Sequence, residues 1–111
     1  MTATTAAKLE ERAANPAAMM AQARVASDLM KSLSNETRLM ILCLLSSGEM
    51  TVSEMENRLH IQPAPLSQQL ARLRNERLVK TRREGRMIHY SIADPNVSEV
   101  VKTLYRIYCP V

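Results

Sequence analysis

Pro65-Leu66-Ser67-Gln68-Gln69-Leu70, continued by Ala71-Arg72-Leu73-Arg74, spaces its leucines by four and then three residues. That is the period of a helix with one apolar face. Leu66, Leu70 and Leu73 are expected to face a core, and Ser67, Gln68, Gln69 and Arg72 to occupy the opposite face. The helix is expected to end near Glu76-Arg77. Just upstream, Ile61-Gln62-Pro63-Ala64-Pro65 predicts a short turn, with Pro63 and Pro65 stiffening the approach. Before the turn stands Thr51-Val52-Ser53-Glu54, a capping box in which the hydroxyl and the carboxylate each satisfy a free first-turn amide. It starts a helix running to about Leu59, with Val52, Met55 and Leu59 inward.

Downstream, two runs look like strands, Leu78 to Arg83 and Met87 to Ile92. In the second, Ile88, Tyr90 and Ile92 alternate with Met87, His89 and Ser91. Glu84-Gly85-Arg86 between them supplies the glycine that a hairpin needs. Three further helices frame these parts. Asn15-Pro16 is a helix start, followed by Met19, Ala23, Ala26, Met30 and Leu33 on one face. Ser34-Asn35 caps a second helix whose apolar run, Leu39 to Leu45, predicts a buried element. Gly48 suits a left-handed cap at its end. Asp94-Pro95 opens a last helix to about Tyr108, with Val97, Val100, Val101, Leu104 and Ile107 as its stripe and Pro110 as its stop. Two short helices joined by a tight turn and followed by a basic hairpin are the parts of a winged helix-turn-helix. The expected class is mainly α with a small β-hairpin wing.

Composition agrees with that class. The 111 residues fit one domain, with residues 1–14 read as a loose tail and 15–111 as the folded part. Apolar residues make up 46% but aromatics only 3%, so the core must be built from Leu, Ile, Val, Met and Ala. The net charge is +4. It is concentrated: eight basic residues lie between Arg58 and Arg86, against only Glu76 and Glu84. Such asymmetry points to a polyanion. The outward face of the Leu66–Leu73 helix suits the major groove, where glutamine can pair in bidentate fashion with adenine and serine can bond a base edge or a phosphate. Arg82, Arg83 and Arg86 flank the hairpin tip, placed to neutralise phosphates or enter the minor groove. No export signal is visible in the first twenty residues, and Leu39 to Leu45 is too short to span a bilayer. A cytoplasmic protein with no membrane partner is expected, so Cys43 and Cys109 should be thiols.

Four segments together resemble the ArsR/SmtB family of bacterial repressors: Leu33-Ser34-Asn35-Glu36-Thr37-Arg38-Leu39-Met40-Ile41-Leu42, Val52-Ser53-Glu54-Met55, Leu66-Ser67-Gln68-Gln69-Leu70-Ala71-Arg72-Leu73-Arg74, and Arg86-Met87-Ile88-His89-Tyr90. The resemblance covers about residues 18 to 109. It implies a homodimer joined through its first and last helices. It also implies binding to an imperfect palindromic operator of double-stranded DNA, released on sensing an inducer. Many members carry His where Gln69 stands, a departure that bears on base or phosphate contacts. The DNA-contacting residues expected on this basis are Pro65, Ser67, Gln68, Gln69, Arg72, Arg82, Arg83 and Arg86.

Many members of that family sense metals through a Cys-x-Cys before the recognition helix, or through Asp and His on the last helix. Here Thr51 to Leu59 has no Cys, and the last helix has Glu99 but no His. His60 and His89 are far apart in sequence, and two thiols without imidazoles make a poor tetrahedral site. No metal or other cofactor is expected. The pair Cys43 and Cys109 instead is similar to the dithiol branch of the family, the biofilm growth-associated repressors and the haemolysin regulator HlyU. That branch places one Cys in the second helix and one at the end of the last, after an aromatic pair resembling Tyr105 and Tyr108. The likeness implies that Cys43 and Cys109 sense reactive sulfur species or oxidants. Each cysteine taken singly also reads as a packing or terminal residue. A helix C-terminus is the wrong end of the dipole to activate Cys109, which Lys102 and Arg106 are placed to offset. A plain disulfide requires Cα atoms within about 7 Å; thiols held further apart favour a bridge with extra sulfur. Two other readings stay open: a metal- or metalloid-responsive repressor, and an interaction dimer that no longer binds DNA. No nucleophile–base spacing or phosphate loop suggests an enzyme.

Overall fold

In the computed structural model, residues 15–109 are described; the tail expected over residues 1–14 lies outside them, as does Pro110. The elements run α1 (Pro16–Leu33), α2 (Glu36–Leu45), β1 (Met50–Thr51), α3 (Val52–Leu59), α4 (Pro63–Asn75), β2 (Val79–Glu84), β3 (Met87–Ile92) and α5 (Pro95–Tyr108). The described residues divide into two compact units, one ending at Lys31 and one beginning at Ser32.

In the first unit, Asn15 caps α1 as its sequence predicts. The amide of Ala18 donates to Asn15 Oδ1 at 3.2 Å, and Pro16 takes the first helical position, where a missing N–H costs nothing. Met19, Met20, Val25 and Met30 leave at least half their surface exposed along this helix.

The second unit holds the core. Asn35 caps α2 by accepting from the Arg38 amide at 3.0 Å. One stripe of α2 is buried, Arg38, Ile41, Leu42 and Leu45, while Leu39, Cys43 and Leu44 are half-buried and Met40 is exposed. The all-round burial expected of this helix is therefore corrected to one face. Its C-cap is Ser46, in the right-handed region, rather than Gly48. The hydroxyls of Ser46 and Ser47 donate to the carbonyls of Cys43 and Leu44, so the terminal acceptors are met without a glycine. Gly48 has positive φ (145°) but lies beyond the helix.

The three strands form one antiparallel sheet in the order β1-β3-β2. The hairpin register pairs Val79 with Ile92, Arg82 with His89, and Glu84 with Met87. That leaves the two-residue turn Gly85-Arg86, with Gly85 at φ 62° in the first central position. β1 has only two residues and adds Met50 opposite Tyr90 and Thr51 opposite His89. A pairing that short has no period to read in sequence.

α2 is the central element, packed against α3, α4, α5 and β3. Its partners supply Met55 from α3, Leu66, Leu70 and Leu73 from α4, Val79 from β2, and Val97 and Val101 from α5, all buried. This is the aliphatic and methionine core that the composition requires. Truncating a fully buried leucine such as Leu70 to alanine in a core of this kind costs about 2–5 kcal/mol.

Candidate nucleic-acid interface

α3 and α4 form the helix-turn-helix. The capping box at α3 is complete. The Glu54 amide donates to Thr51 Oγ1 (3.3 Å), and Glu54 Oε1 accepts from the Thr51 amide (3.0 Å). The Thr51 amide and the Thr51 hydroxyl, which also donates to Glu54 Oε1 at 3.0 Å, hold the Glu54 carboxyl below its usual value. α3 ends on His60, which takes the left-handed conformation (φ 55°, ψ 41°) that reverses the chain. Ile61 and Gln62 complete the turn.

α4 starts earlier than its sequence suggests. Pro63 to Pro65 is not a turn but the first turn of the helix, with Gln62 as N-cap. The first four amides of a helix have no intrahelical acceptor, so two prolines there forfeit no hydrogen bond, and their fixed φ already suits the helix. The helix ends in a Schellman motif. The amide of Leu78 donates to the Leu73 carbonyl (2.9 Å) and that of Arg77 to the Arg74 carbonyl (3.0 Å). Arg77 occupies the left-handed position (φ 61°) where glycine is usual.

Ser67, Gln68 and Arg72 are exposed on α4 opposite buried Leu66, Leu70 and Leu73, as expected, and Pro65 is exposed in the first turn. Gln69 is not on that outer face. It is half-buried, and its Oε1 accepts from Arg38 Nη1 at 3.0 Å. Its position explains this: Gln69 follows Leu66 by three and precedes Leu73 by four, so it falls on the inward stripe. Arg38, only 5% exposed, also donates from Nε to the Ser32 carbonyl (2.8 Å). Ser32 in turn donates its hydroxyl to Glu76 at the end of α4. A hydrogen bond to a charged group contributes about 1.5–3 kcal/mol, and none of these buried polar atoms is left without a partner.

The wing departs from expectation at one residue. Arg82 is held by two carboxylates, bonding Glu84 Oε2 from Nη1 (2.7 Å) and Glu49 through Nη2. Those bonds pull both carboxyls below their usual value and raise Arg82 further. His89, directly opposite Arg82, brings its ring nitrogens to 3.9 Å from the same two carboxylates. Arg82 is thus engaged within the protein, whereas Arg83 and Arg86 are exposed and make no ion pair among the described residues. On α4, exposed Arg72 makes only a loose pair with Glu76 (3.5 Å).

Cys43 is half-buried on α2, and Cys109 is exposed as the C-cap of α5, its amide bonded to the Tyr105 carbonyl. Burial pushes the Cys43 thiol up, and the charge of Cys109 adds to this. The helix that carries Cys43 packs against the helix that Cys109 caps. Tyr105, Ile107 and Tyr108 are exposed at this end of α5. Among the described residues no cluster of three or more His, Cys, Asp or Glu is placed to hold a metal ion, and no helix is long and apolar enough to cross a membrane.

Two features escaped the sequence reading, the Arg38 node and the Glu49–Arg82–Glu84 clamp. The first had a signal. Arg38 precedes Ile41, Leu42 and Leu45 by three, four and seven, the spacing of a buried stripe.

Residues 35–81 match the family model described as "Bacterial regulatory protein, arsR family". The chain is 41% identical over 81 residues to the transcriptional activator HlyU of Vibrio cholerae, covering 73% of this chain and 75% of that one. It is 40% identical over 92 residues to the biofilm growth-associated repressor of Agrobacterium fabrum, covering 83% and 79%. Among solved structures, reduced HlyU from Vibrio cholerae superposes with a TM-score of 0.78 at 38% identity, over 82% of this chain and 96% of that one.

Proposed function

The chain belongs to the ArsR family of bacterial regulatory proteins, and from that premise we propose that it is a repressor gripping a palindromic operator as a homodimer and letting go when Cys43 and Cys109 are modified. Its winged helix-turn-helix and family make it a DNA-binding transcriptional regulator. Ser67, Gln68 and Arg72 on α4 then meet base edges and adjoining phosphates in the major groove, Pro65 packs at the groove edge, and Arg83 and Arg86 engage phosphates from the wing. The exposed apolar side chains of α1 and, separately, those at the end of α5 supply the dimer contacts. Dimerisation sets two copies of α4 about one DNA turn apart, which a palindrome requires.

The packing of α2, which holds Cys43, against α5, which Cys109 caps, is the observation that carries the thiol half of the proposal. Exposure makes Cys109 the first to react. Its thiolate attacks the outer sulfur of an organic persulfide or polysulfide, a thiolate leaves, and Cys109 holds a persulfide. The Cys43 thiolate then attacks the sulfur bound to Cys109, hydrosulfide departs, and a bridge joins α2 to α5. If both thiols are first persulfidated, their condensation expels hydrogen sulfide and leaves a three-sulfur bridge. Either product strains the helix against which α3, α4 and α5 all pack.

The test is operator binding by the reduced protein, repeated after persulfide and peroxide, with mass spectrometry of the product. The reduced protein is expected to bind, and the persulfide-treated protein to release DNA while carrying an intrachain Cys43–Cys109 bridge. Absence of that bridge, or undiminished release by Cys43→Ser, overturns the thiol assignment.

A further inference from the structure

Leucine contacts hold α4 on the core, and because apolar contact is non-directional, hydrogen bonds add a directional restraint on its rotation. Rotation matters for a helix that reads bases. A turn of about 20° moves a side chain roughly 6 Å from the axis by about 2 Å. Hydrogen bonds to base edges tolerate only a few tenths of that. Something directional is needed, and α4 has two such restraints. Gln69 Oε1 accepts from Arg38 Nη1 at 3.0 Å, and Glu76 accepts from the Ser32 hydroxyl. The two restraints converge, since Arg38 Nε donates to the Ser32 carbonyl at 2.8 Å. The short segment from Ser32 to Arg38 therefore grips α4 at two points about two turns apart.

We propose that Arg38 and Gln69 are positioning residues, setting the rotation of α4 about its axis and hence the direction in which Ser67, Gln68 and Arg72 face DNA. The proposal rests on the reading of α4 as the helix that enters the groove. Arg38 is buried and touches no DNA. Gln69 acts inward through its carbonyl oxygen, and not as a base reader. Two arginine donors on separate acceptors, one a main-chain carbonyl, make the node stiff: the guanidinium plane cannot turn to follow Gln69 without leaving Ser32.

The experiment measures the affinity of the full-length reduced protein for operator and for non-operator DNA at one salt concentration, alongside thermal melting. Gln69→Met keeps the side-chain length and removes the acceptor; Arg38→Lys keeps the charge but replaces the rigid fork, whose Nε and Nη1 bond separate acceptors, by a single ammonium. Each is expected to lower the operator-to-non-operator ratio about tenfold, as a mismatched base pair does, while non-operator binding stays within about twofold. The loss is expected across the whole half-site, and the double variant is expected to lose no more than either single one. Gln69→Glu, which keeps an acceptor for Arg38, is expected to restore the ratio. A normal ratio in Arg38→Lys alongside a loss at one base pair in Gln69→Met would make Gln69 a direct reader and overturn the proposal. So would equal losses on both DNAs. Should Gln69→Met melt below the assay temperature, Arg38→Lys and Gln69→Glu decide by the same ratios. Full operator binding by Ser67→Ala/Gln68→Ala overturns the α4 reading itself and the positioning role with it. If that pair fails to bind and Arg38→Lys keeps its ratio, the positioning role alone is lost.

Discussion

Arg82 and Arg83 are neighbours in β2, yet replacing each by alanine should affect DNA binding very differently. Successive strand residues face opposite sides. Arg82 turns to Glu49 and Glu84, bonding the latter at 2.7 Å, and is engaged by both. Arg83 is exposed with no ion pair among the described residues. Each cation that neutralises a phosphate contributes about 0.9 to the slope of log affinity against log salt. At 0.15 M salt that release is worth about fivefold per contact, so two copies of Arg83 in a dimer account for roughly 30-fold and for about 1.8 of the slope. Arg83→Ala should lose both. Arg82→Ala should flatten the slope by less than half as much, because its charge is already committed to two carboxylates. Fluorescence anisotropy on operator DNA between about 50 and 400 mM salt measures both slopes. Equal flattening by the two variants would mean that DNA draws Arg82 out of its clamp, and the argument from the pairing would fail.

Burial raises the Cys43 thiol above its usual value, and the charge of Cys109 adds to this. Iodoacetamide should therefore label exposed Cys109 first and reach Cys43 at a rate rising with pH; equal labelling at pH 7 refutes this. The sign for stability follows: the neutral thiol favours the fold fully below its unfolded value, and that contribution is lost as pH climbs through the folded one. Arg77→Gly relieves a left-handed backbone at the end of α4 and should raise stability by about 0.5–1 kcal/mol, a few degrees in Tm, after the added freedom of the unfolded chain is counted. A lower Tm would show that the arginine side chain matters more than its φ. Thr51→Ala breaks the α3 capping box and should cost about 1 kcal/mol by denaturant titration. Glu54 is held below its usual 4.5, so its contribution is present at neutral pH and disappears as pH falls through the folded value. Thr51→Ala should therefore lose less on acidification than the parent.

The parts of the fold that were legible in sequence are those with a period or a cap. Leu66, Leu70 and Leu73 announced α4, Thr51 and Glu54 announced α3, and Gly85 announced the hairpin. What was missed depends on tertiary context. Two residues of β1 exist only because β3 lies beside them. Pro63 and Pro65 read as a turn because proline usually breaks helices, although the first turn tolerates it. Gln69 is polar like its neighbours Ser67 and Gln68, and only its spacing of three from Leu66 and four to Leu73 puts it with the leucines. Arg82 looked like one more wing cation because Glu49 lies 33 positions away. Charge runs show where positive side chains are dense, and long-range acids decide which of them stay free.

α2 packs against α4 and carries Cys43. Arg38 sits in its first turn on the side of Gln69, and Cys43 follows five residues later, about 7.5 Å along the axis. A helix of this length transmits displacement as a rigid piece, so the proposed bridge between Cys43 and Cys109 would also move the Arg38 guanidinium that bonds Gln69 on α4. The same change would be muted by apolar contacts alone, which let helices slide by small amounts. If this linkage operates, Arg38→Lys should narrow the gap in operator affinity between reduced and bridged protein, having already lost orientation in the reduced state. Measured on both forms of both proteins, an undiminished gap in Arg38→Lys would place the coupling elsewhere, through the dimer contacts of α5 and not through the core.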